Sequence, residues 1–483
     1  MKVLFAASEI APWVKTGGLG DVAAALPPAL ARLGADVRLL VPRYPALREA
    51  FPDARPLLRL PSFGGALPPC ELFLATAPGA PLLLLDCPPL FDRPGNPYLG
   101  ADGRDWFDNH LRFGLLSRVA ARLASSASPL AWRPDILHCN DWQTALGPYY
   151  LRFYEPGGAA TLITIHNLAF QGVFAPQRLD DLALTGRDWH IDGVEYYGQL
   201  SFLKAGVRHA DWITTVSPTY AREIQSEAGG MGLGGLLSAR AGQLTGILNG
   251  IDAELWNPAT DAYLPAHYER AQMSGKALCK RALQRELQLT ERDDCPLFGV
   301  VSRLTWQKGL DLVAAIGDDL VALPAQLAVL GSGEKALEEA FCALAARHPG
   351  MVAARIGYSE ALAHRIEAGA DCFLMPSRFE PCGLNQMYSM AYGTPPLVRA
   401  TGGLADTVID CRPETLANGT ATGFVCAAET PEALLDALRR AHACWLDKAL
   451  WRRLQENGMA RDFGWTAPAG QYLELYRRLR PAA

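Results

Sequence analysis

The chain has 483 residues, 49% of them hydrophobic and 20% charged, and carries a formal net charge of −5. That length exceeds one ordinary core and predicts two domains, and the acidic balance excludes a general nucleic-acid binder. Eleven cysteines, odd in number and never spaced C-x-x-C, point to free thiols in a reducing compartment and away from disulfides or a zinc site. The apolar run after Met1-Lys2 is too short for a signal peptide and is interrupted by Glu9, and no uncharged apolar stretch has the length of a membrane span. A soluble, cytoplasmic protein is expected.

In chain order, Val3 to Ala7 reads as a buried strand, Lys15-Thr16-Gly17-Gly18-Leu19-Gly20-Asp21 as a glycine loop, and Val22 to Leu33 as a helix despite Pro27 and Pro28. Strand, loop and helix start bring free N–H groups and the positive end of a helix dipole to one point. The glycines permit close approach of a ligand and positive φ; Lys15 supplies a point charge suited to phosphate, and Asp21 is a candidate N-cap. An anion site and a plain tight turn are both open at this stage. The spacing matches neither a P-loop nor a dinucleotide fingerprint, which disfavours a hydride-transferring dehydrogenase.

Further strands are expected at Val37 to Val41, Leu82 to Leu85, Ile136 to His138, Thr161 to Ile165 and Trp212 to Val216. Helices are expected at Trp106 to Ala124, Gln143 to Tyr154 and Tyr197 to Ala210. This alternation implies a mostly parallel sheet covered on both faces, with ligands beyond the carboxyl ends of its strands. Asn140, Asp141 and Trp142 follow one strand end; His166, Asn167 and Gln171 follow another. Each alone reads as a cap or turn residue, but together with the Lys15 loop they suggest a shared crevice. The proline-rich stretch from 86 to 110, with Asn96-Pro97-Tyr98, is either a functional loop or a surface excursion. Gly229 to Gly235 reads as a mobile loop, and Leu244 to Asp252 as a strand and turn entering a second domain.

In that second part, a helix at Lys276 to Leu287 precedes strands at Leu297 to Val301, Leu327 to Leu330, Val352 to Ile356 and Cys372 to Met375. Helices are expected at Gly309 to Asp319, Lys335 to Arg347, Ser359 to Gly369 and Pro468 to Arg480. Arg303 and Lys308 flank a strand-to-helix turn, where two cations can neutralise a diphosphate. Glu380 follows another strand, and the backbone N–H groups after it open a helix near Leu384. Thr401 to Val408 repeats the loop-then-helix pattern of residues 16 to 22, through related halves or convergent turn chemistry.

The strings K-T-G-G-L-x-D at 15–21, H-x-x-D-W at 138–142, H-N-x-x-x-Q-G at 166–172, R-L-x-x-Q-K-G at 303–309 and E-P-C-G-L at 380–384 resemble the signatures of bacterial glycogen synthases and plant starch synthases, glycosyltransferase family 5. The resemblance runs from residue 2 to about 430. It implies the GT-B fold: two Rossmann-like α/β domains whose parallel sheets face a deep inter-domain cleft. One would span 1–243, completed by the C-terminal helix within 461–483, and the other 244–460.

It further implies a retaining transfer of glucose from ADP-glucose to the 4-hydroxyl of an α-1,4-glucan, with no metal or other cofactor, no nucleic acid and no membrane partner. Carried over by motif, the catalytic set is Lys15, Asp21, His166, Arg303, Lys308 and Glu380. The substrate-binding set is Lys15, Gly17, Gly18, Tyr98, Asp141, Asn167, Gln171, Asn249, Tyr358, Cys382, Gly383 and Leu384. Asn385 stands where the family more often has threonine. Tyr388 stands where other retaining GT-B enzymes place a second glutamate, which family 5 commonly lacks. With no placed carboxylate pair, a front-face route is favoured over double displacement, and no D-x-D metal clamp occurs. The alternatives are a UDP-sugar transferase of the same fold, a pyridoxal-phosphate phosphorylase, and a catalytically silent glucan-binding protein.

Overall fold

The computed structural model describes residues 1–77 and 79–480. Met1–Gly250, together with the chain from Trp465 onward, forms one compact unit; Ile251–Gly464 forms a second.

In the first unit the strands are β1 (Lys2–Ala6), β2 (Asp36–Pro42), β3 (Arg55–Leu60), β4 (Cys70–Ala77), β5 (Ala80–Asp86), β6 (Ile136–Asn140), β7 (Ala160–Ile165), β8 (Val173–Phe174), β9 (Glu195–Tyr196), β10 (Gln199–Ser201), β11 (Trp212–Thr215) and β12 (Leu244–Gly246). Nine of them form one sheet in the order β12-β11-β7-β6-β1-β2-β5-β4-β3, and β8, β10 and β9 form a small separate one. Pairing is parallel from β12 to β5. Val3, Leu4, Phe5 and Ala6 are fully buried because β1 is central and covered on both faces, so its sequence is a continuous apolar run rather than an alternation.

The chain winds outward from β1 through β2 in one direction and from β6 through β7 in the other. The carboxyl ends of β1 and β6 therefore meet at a topological switch point. The last helix, Thr466–Leu479, packs on this unit: the Tyr476 hydroxyl lies 2.7 Å from Nδ1 of His138 on β6.

The second unit carries β13 (Leu297–Val301), β14 (Gln326–Gly331), β15 (Val352–Ile356), β16 (Cys372–Met375), β17 (Pro396–Arg399) and β18 (Phe424–Cys426). They form an all-parallel sheet ordered β15-β14-β13-β16-β17-β18. Its switch point lies between β13 and β16.

Several expectations need correction. The pair β3–β4 is antiparallel and joins β5 antiparallel at the sheet edge, and β17 and β18 complete the second sheet; none of these four strands was anticipated. The segment Gln143 to Tyr154 starts as a 3₁₀ turn before the helix Leu146–Phe153, and Tyr197 to Ala210 starts as a strand before the helix Phe202–His209. Gly309 to Asp319 is split into the helices Leu310–Ala315 and Gly317–Ala322. The stretch Gly229 to Gly235 is tied down: Gln171 Nε2 and the Tyr196 hydroxyl both donate to the Met231 carbonyl, at 2.9 and 3.0 Å. Among the described residues no helix is long and apolar enough to cross a membrane.

Candidate functional site

The first half-site gathers at the carboxyl ends of β1, β6 and β7. The helix after the glycine loop spans Gly18–Arg32 with Gly17 as its N-cap. Asp21 therefore lies inside the first turn and is not the N-cap; its carboxylate pairs with Lys15 at 2.8 Å. Nor does the loop use positive φ. Gly17 is extended (φ −164°), and Gly18 and Gly20 are helical. A Cβ on Gly17 would meet no protein atom within 4 Å, so the space beside that backbone is open. The first N–H groups of the helix have no intrahelical acceptor and point outward from its N-terminus.

Sequence reasoning missed the residue that holds this loop in place. Glu9, only 3% exposed, accepts from the Thr16 N–H at 2.6 Å and the Thr16 hydroxyl at 2.7 Å. It also accepts from the Tyr98 hydroxyl, which lies 2.8 Å from the Ser8 hydroxyl. Burial raises the Glu9 pKa, and its hydrogen bonds from Tyr98, Thr16 and Gly17 oppose that rise. The Tyr98 loop is pinned from below by Arg112, whose Nη1 donates to the Pro97 carbonyl at 2.6 Å, and by Asn109, whose amide donates to the Tyr98 carbonyl at 3.0 Å. The available signal was a carboxylate placed between two buried runs, since such a group needs partners.

Asp141 follows β6 with φ +55°. Its Oδ1 accepts from the His166 N–H at 2.7 Å and, more weakly, from the Asn167 N–H at 3.4 Å. Burial pushes the Asp141 carboxyl up to about 7 and holds the His166 imidazole down at about 3. Asn140 donates its amide to the Ala6 carbonyl at 3.0 Å, so its Oδ1 faces His166 Nε2 at 2.9 Å. That nitrogen therefore carries the proton, and Nδ1 is the acceptor.

Asp141, His166 and Asn167 are thus brought together. The Gln171 side-chain amide donates to the Met231 carbonyl. Asn167 Oδ1 accepts from the Ala169 N–H at 3.0 Å in a local turn. Asn249, beyond β12, is 5% exposed, and its side-chain carbonyl has no hydrogen-bond partner among the described residues.

The second half-site lies at the β13/β16 switch point. Lys308 Nζ is 2.6 Å from Glu380 Oε2, and the Ser377 hydroxyl donates to the same oxygen at 2.9 Å. The two loops are clamped by Arg378. It grips Asp311 with two bonds of 2.6 and 2.8 Å, donates to the Trp306 carbonyl at 2.8 Å, and stacks 4.5 Å above the Trp306 ring. Its N–H also reaches the Gln307 carbonyl at 2.8 Å. Gly309 is required between them: its φ is +67°, and a Cβ would overlap the Pro376 carbonyl.

Gly402 (φ +45°) has the same reason, since a Cβ would collide with the Glu380 carbonyl, which Gly403 N–H contacts at 3.1 Å. Asn385 donates to the Val301 carbonyl at 2.8 Å, tying the helix Asn385–Ala391 to β13. Cys382 is buried. The N–H groups of Gly383 and Leu384 make no backbone hydrogen bond among the described residues. Arg303 is exposed and enters no ion pair among the described residues. Tyr358 stands 73% exposed after the edge strand β15.

Comparison with known proteins agrees with this layout. Residues 2–239 match the family described as starch synthase catalytic domain, and 285–461 match glycosyl transferases group 1. A glycogen synthase of Dechloromonas aromatica is 59% identical, with 99% of this chain and 98% of that one covered. One of Nitrosospira multiformis is 54% identical, with 99% and 97% covered. The catalytic domain of starch synthase IV from Arabidopsis thaliana, solved with ADP and acarbose, superposes with a TM-score of 0.90 at 34% identity, covering 99% of both chains. A sucrose-phosphate synthase from Thermosynechococcus elongatus, at 20% identity and a TM-score of 0.62, shares the fold. Two doubly wound units, each with charged groups at its switch point, and full-length identity above half to curated relatives lead to one conclusion: the chain belongs to the glycogen and starch synthase family of glucosyltransferases, with the two-domain GT-B fold.

Proposed function

We propose that the protein lengthens an α-1,4-glucan by transferring glucose from ADP-glucose to the non-reducing 4-hydroxyl, with retention, in the cytoplasm. The observation that carries this reading is the β13/β16 switch point, whose loops carry Lys308 paired with Glu380, Arg303 outside any ion pair among the described residues, and the Gly383 and Leu384 amides outside any backbone hydrogen bond among them. This set suits a departing diphosphate: fixed donors stabilise charge that grows as the bond breaks and need no reorganisation. Glu380 holds the Lys308 ammonium in place through their 2.6 Å contact, and its Oε1 remains to accept from a sugar hydroxyl.

The C1–O bond to ADP breaks, the anomeric centre gains oxocarbenium character, and the acceptor oxygen attacks from the same face. Its proton passes to a donor phosphate oxygen. In the first unit, Lys15 and the helix N-terminus at Gly17-Gly18 would take phosphate or sugar oxygens, while His166 and Asp141 would take glucose hydroxyls. His166 is neutral at working pH and serves as a hydrogen-bonding group rather than a cation. Asn249, with an unsatisfied buried carbonyl, and Tyr358, with an exposed ring, would complete the donor contacts.

The test is incubation with radiolabelled ADP-glucose and glycogen. Label entering precipitable polymer, and released again by an enzyme that cuts only α-1,4 bonds, is the expected outcome. Label entering only from UDP-glucose would overturn the donor assignment; none from either would overturn the reaction.

A further inference from the structure

Away from the switch point, the second unit holds two thiols face to face. Cys411 lies just after the bridge Asp410↔Gly423, and Cys444 lies in the last turn of the helix Pro431–Leu446. Their sulfurs are 3.8 Å apart. Neither sits at the transferase groups described above. Cys411 is buried and backed by the core cluster that includes Phe424 and Trp451, whereas Cys444 is partly exposed. The Cys411 backbone is held by its N–H on the Gly423 carbonyl at 2.8 Å. One helical turn before Cys444, Arg440 pairs with Asp410 at 2.5 Å and donates to the Cys411 carbonyl at 3.3 Å, which sets a guanidinium beside both sulfurs.

We propose that Cys411 and Cys444 form an oxidative modification site, a dithiol that hydroperoxides convert to an intramolecular Cys411–Cys444 disulfide. A disulfide bond is about 2.0 Å long, so the sulfurs need to approach by less than 2 Å, within reach of side-chain rotation in a partly exposed last helical turn. The asymmetry of the pair assigns the roles. Cys444 is accessible, and its thiol is pulled down to about 7 by the hydrogen bond from Cys411 and by Arg440, against burial and the carboxylates of Asp447 and Asp410. The Cys411 thiol is pushed up by the same hydrogen bond and by burial. Attack therefore starts at Cys444, because the thiolate is the nucleophile.

Its sulfur takes an oxygen from the hydroperoxide. The S–O bond forms, the O–O bond breaks, and the peroxide leaves reduced to an alcohol or water, with Cys444 oxidised to the sulfenic acid. The Cys411 sulfur then attacks the Cys444 sulfur. The S–S bond forms, the S–O bond breaks, and hydroxide leaves with the Cys411 proton as water. Two thiols and one hydroperoxide yield one disulfide, one alcohol or water, and one further water. The bond ties to the helix the segment that begins at Gly402-Gly403, whose backbone touches the Glu380 carbonyl.

The test treats the full-length protein with graded hydrogen peroxide, then unfolds it, alkylates the remaining thiols and maps peptides by mass spectrometry. The expected result is loss of two alkylation sites per chain, a linked peptide containing residues 411 and 444, and full reversal by dithiothreitol. Exposed Cys342 serves as the internal comparison and should react at higher peroxide. The rate should rise as pH passes through about 7. In Cys411→Ser, Cys444 should accumulate as a sulfenic acid trapped by dimedone; in Cys444→Ser, Cys411 should stay reduced. Oxidation of Cys444 in the parent without a link to Cys411, or oxidation of Cys342 while the pair stays reduced, would overturn the assignment.

Discussion

The two switch points occupy the same topological position and solve different problems. At β1/β6 the groups are mostly spent on one another: Glu9 holds Thr16 and Tyr98, Asp21 holds Lys15, and Asp141 holds the His166 backbone. At β13/β16 the pairing is incomplete. Lys308 has Glu380, but Arg303 has no ion-pair partner among the described residues, and two amides are bare. Topology brings charged loops together in both units; among the described residues Arg303 of the second enters no ion pair, whereas Lys15 of the first is held by Asp21. On the proposed function, that contrast would give leaving-group stabilisation to Arg303 and Lys308 and orientation of the sugar to the loop held by Glu9.

The sharpest way to break this comparison is to remove the two cations separately. Lys308→Ala should lower kcat by roughly 10²–10³, the usual effect of losing one transition-state donor. It should also destabilise the second unit by about 1–3 kcal/mol, because Glu380 is left buried with only Ser377 as a partner. Arg303→Ala should lower kcat by about 10² with stability changed by less than about 0.5 kcal/mol, since its exposed side chain enters no ion pair. Steady-state ADP release and denaturant melts measure both. If the two variants lose stability equally, or if either raises KM alone, the division between a paired and an unpaired cation is wrong.

A smaller effect is expected in the first unit. Glu9→Gln keeps the shape but removes the charge that accepts from Thr16 and Tyr98, and bonds to a charged group are worth about 1.5–3 kcal/mol. We expect kcat to fall roughly tenfold, with little change in nucleotide affinity, because the loop loosens while the cations of the other unit are intact. Tyr98→Phe should reproduce a fraction of that loss. A Glu9→Gln enzyme with parental kcat would remove Glu9 from any positioning role.

Such networks also explain what could be read from the sequence and what could not. The parallel sheets were legible because buried central strands such as Leu297–Val301 read as continuous apolar runs between helical segments. The strands β17 and β18 were not, since Pro396–Arg399 and Phe424–Cys426 are too short to show any period. The strand β3 begins Arg55-Pro56 and is largely exposed, so it looks like a loop. Motifs identified Lys308 and Glu380 one by one, but their contact depends on β13 and β16 being neighbours, which strand order decides and local sequence does not. Asp21 was misread as a cap because the helix begins four residues earlier than the apolar pattern indicates, which puts Asp21 inside the first turn and beside Lys15. Motif also gave no sign that the Gln171 amide donates to the Met231 carbonyl, a contact set by the fold of a loop some sixty residues away.

The smallest expected effect is a pair of opposed pH dependences within the first half-site. Asp141 is raised by burial to about 7, so between about pH 4 and 7 the folded protein holds a proton that the unfolded chain has lost. Stability from this group is present at low pH and falls as pH rises through that window. His166 is held down at about 3, so up to about pH 6.5 the unfolded chain holds the extra proton, and stability is lost as pH falls toward 3. The two slopes nearly cancel in the parent between about pH 4.5 and 6.5. Asp141→Asn removes the falling contribution while its amide oxygen can still accept from the His166 N–H. Relative to the parent, its stability should rise with pH, by at most about 1.4 kcal/mol per unit. His166→Gln should show the reverse slope, and the double variant should run parallel to the parent. Urea melts across that range read all three. A parental slope in Asp141→Asn would mean that the carboxyl ionises normally in the fold, and the reading of this strand end as a dry, neutral, hydroxyl-binding surface would fail with it.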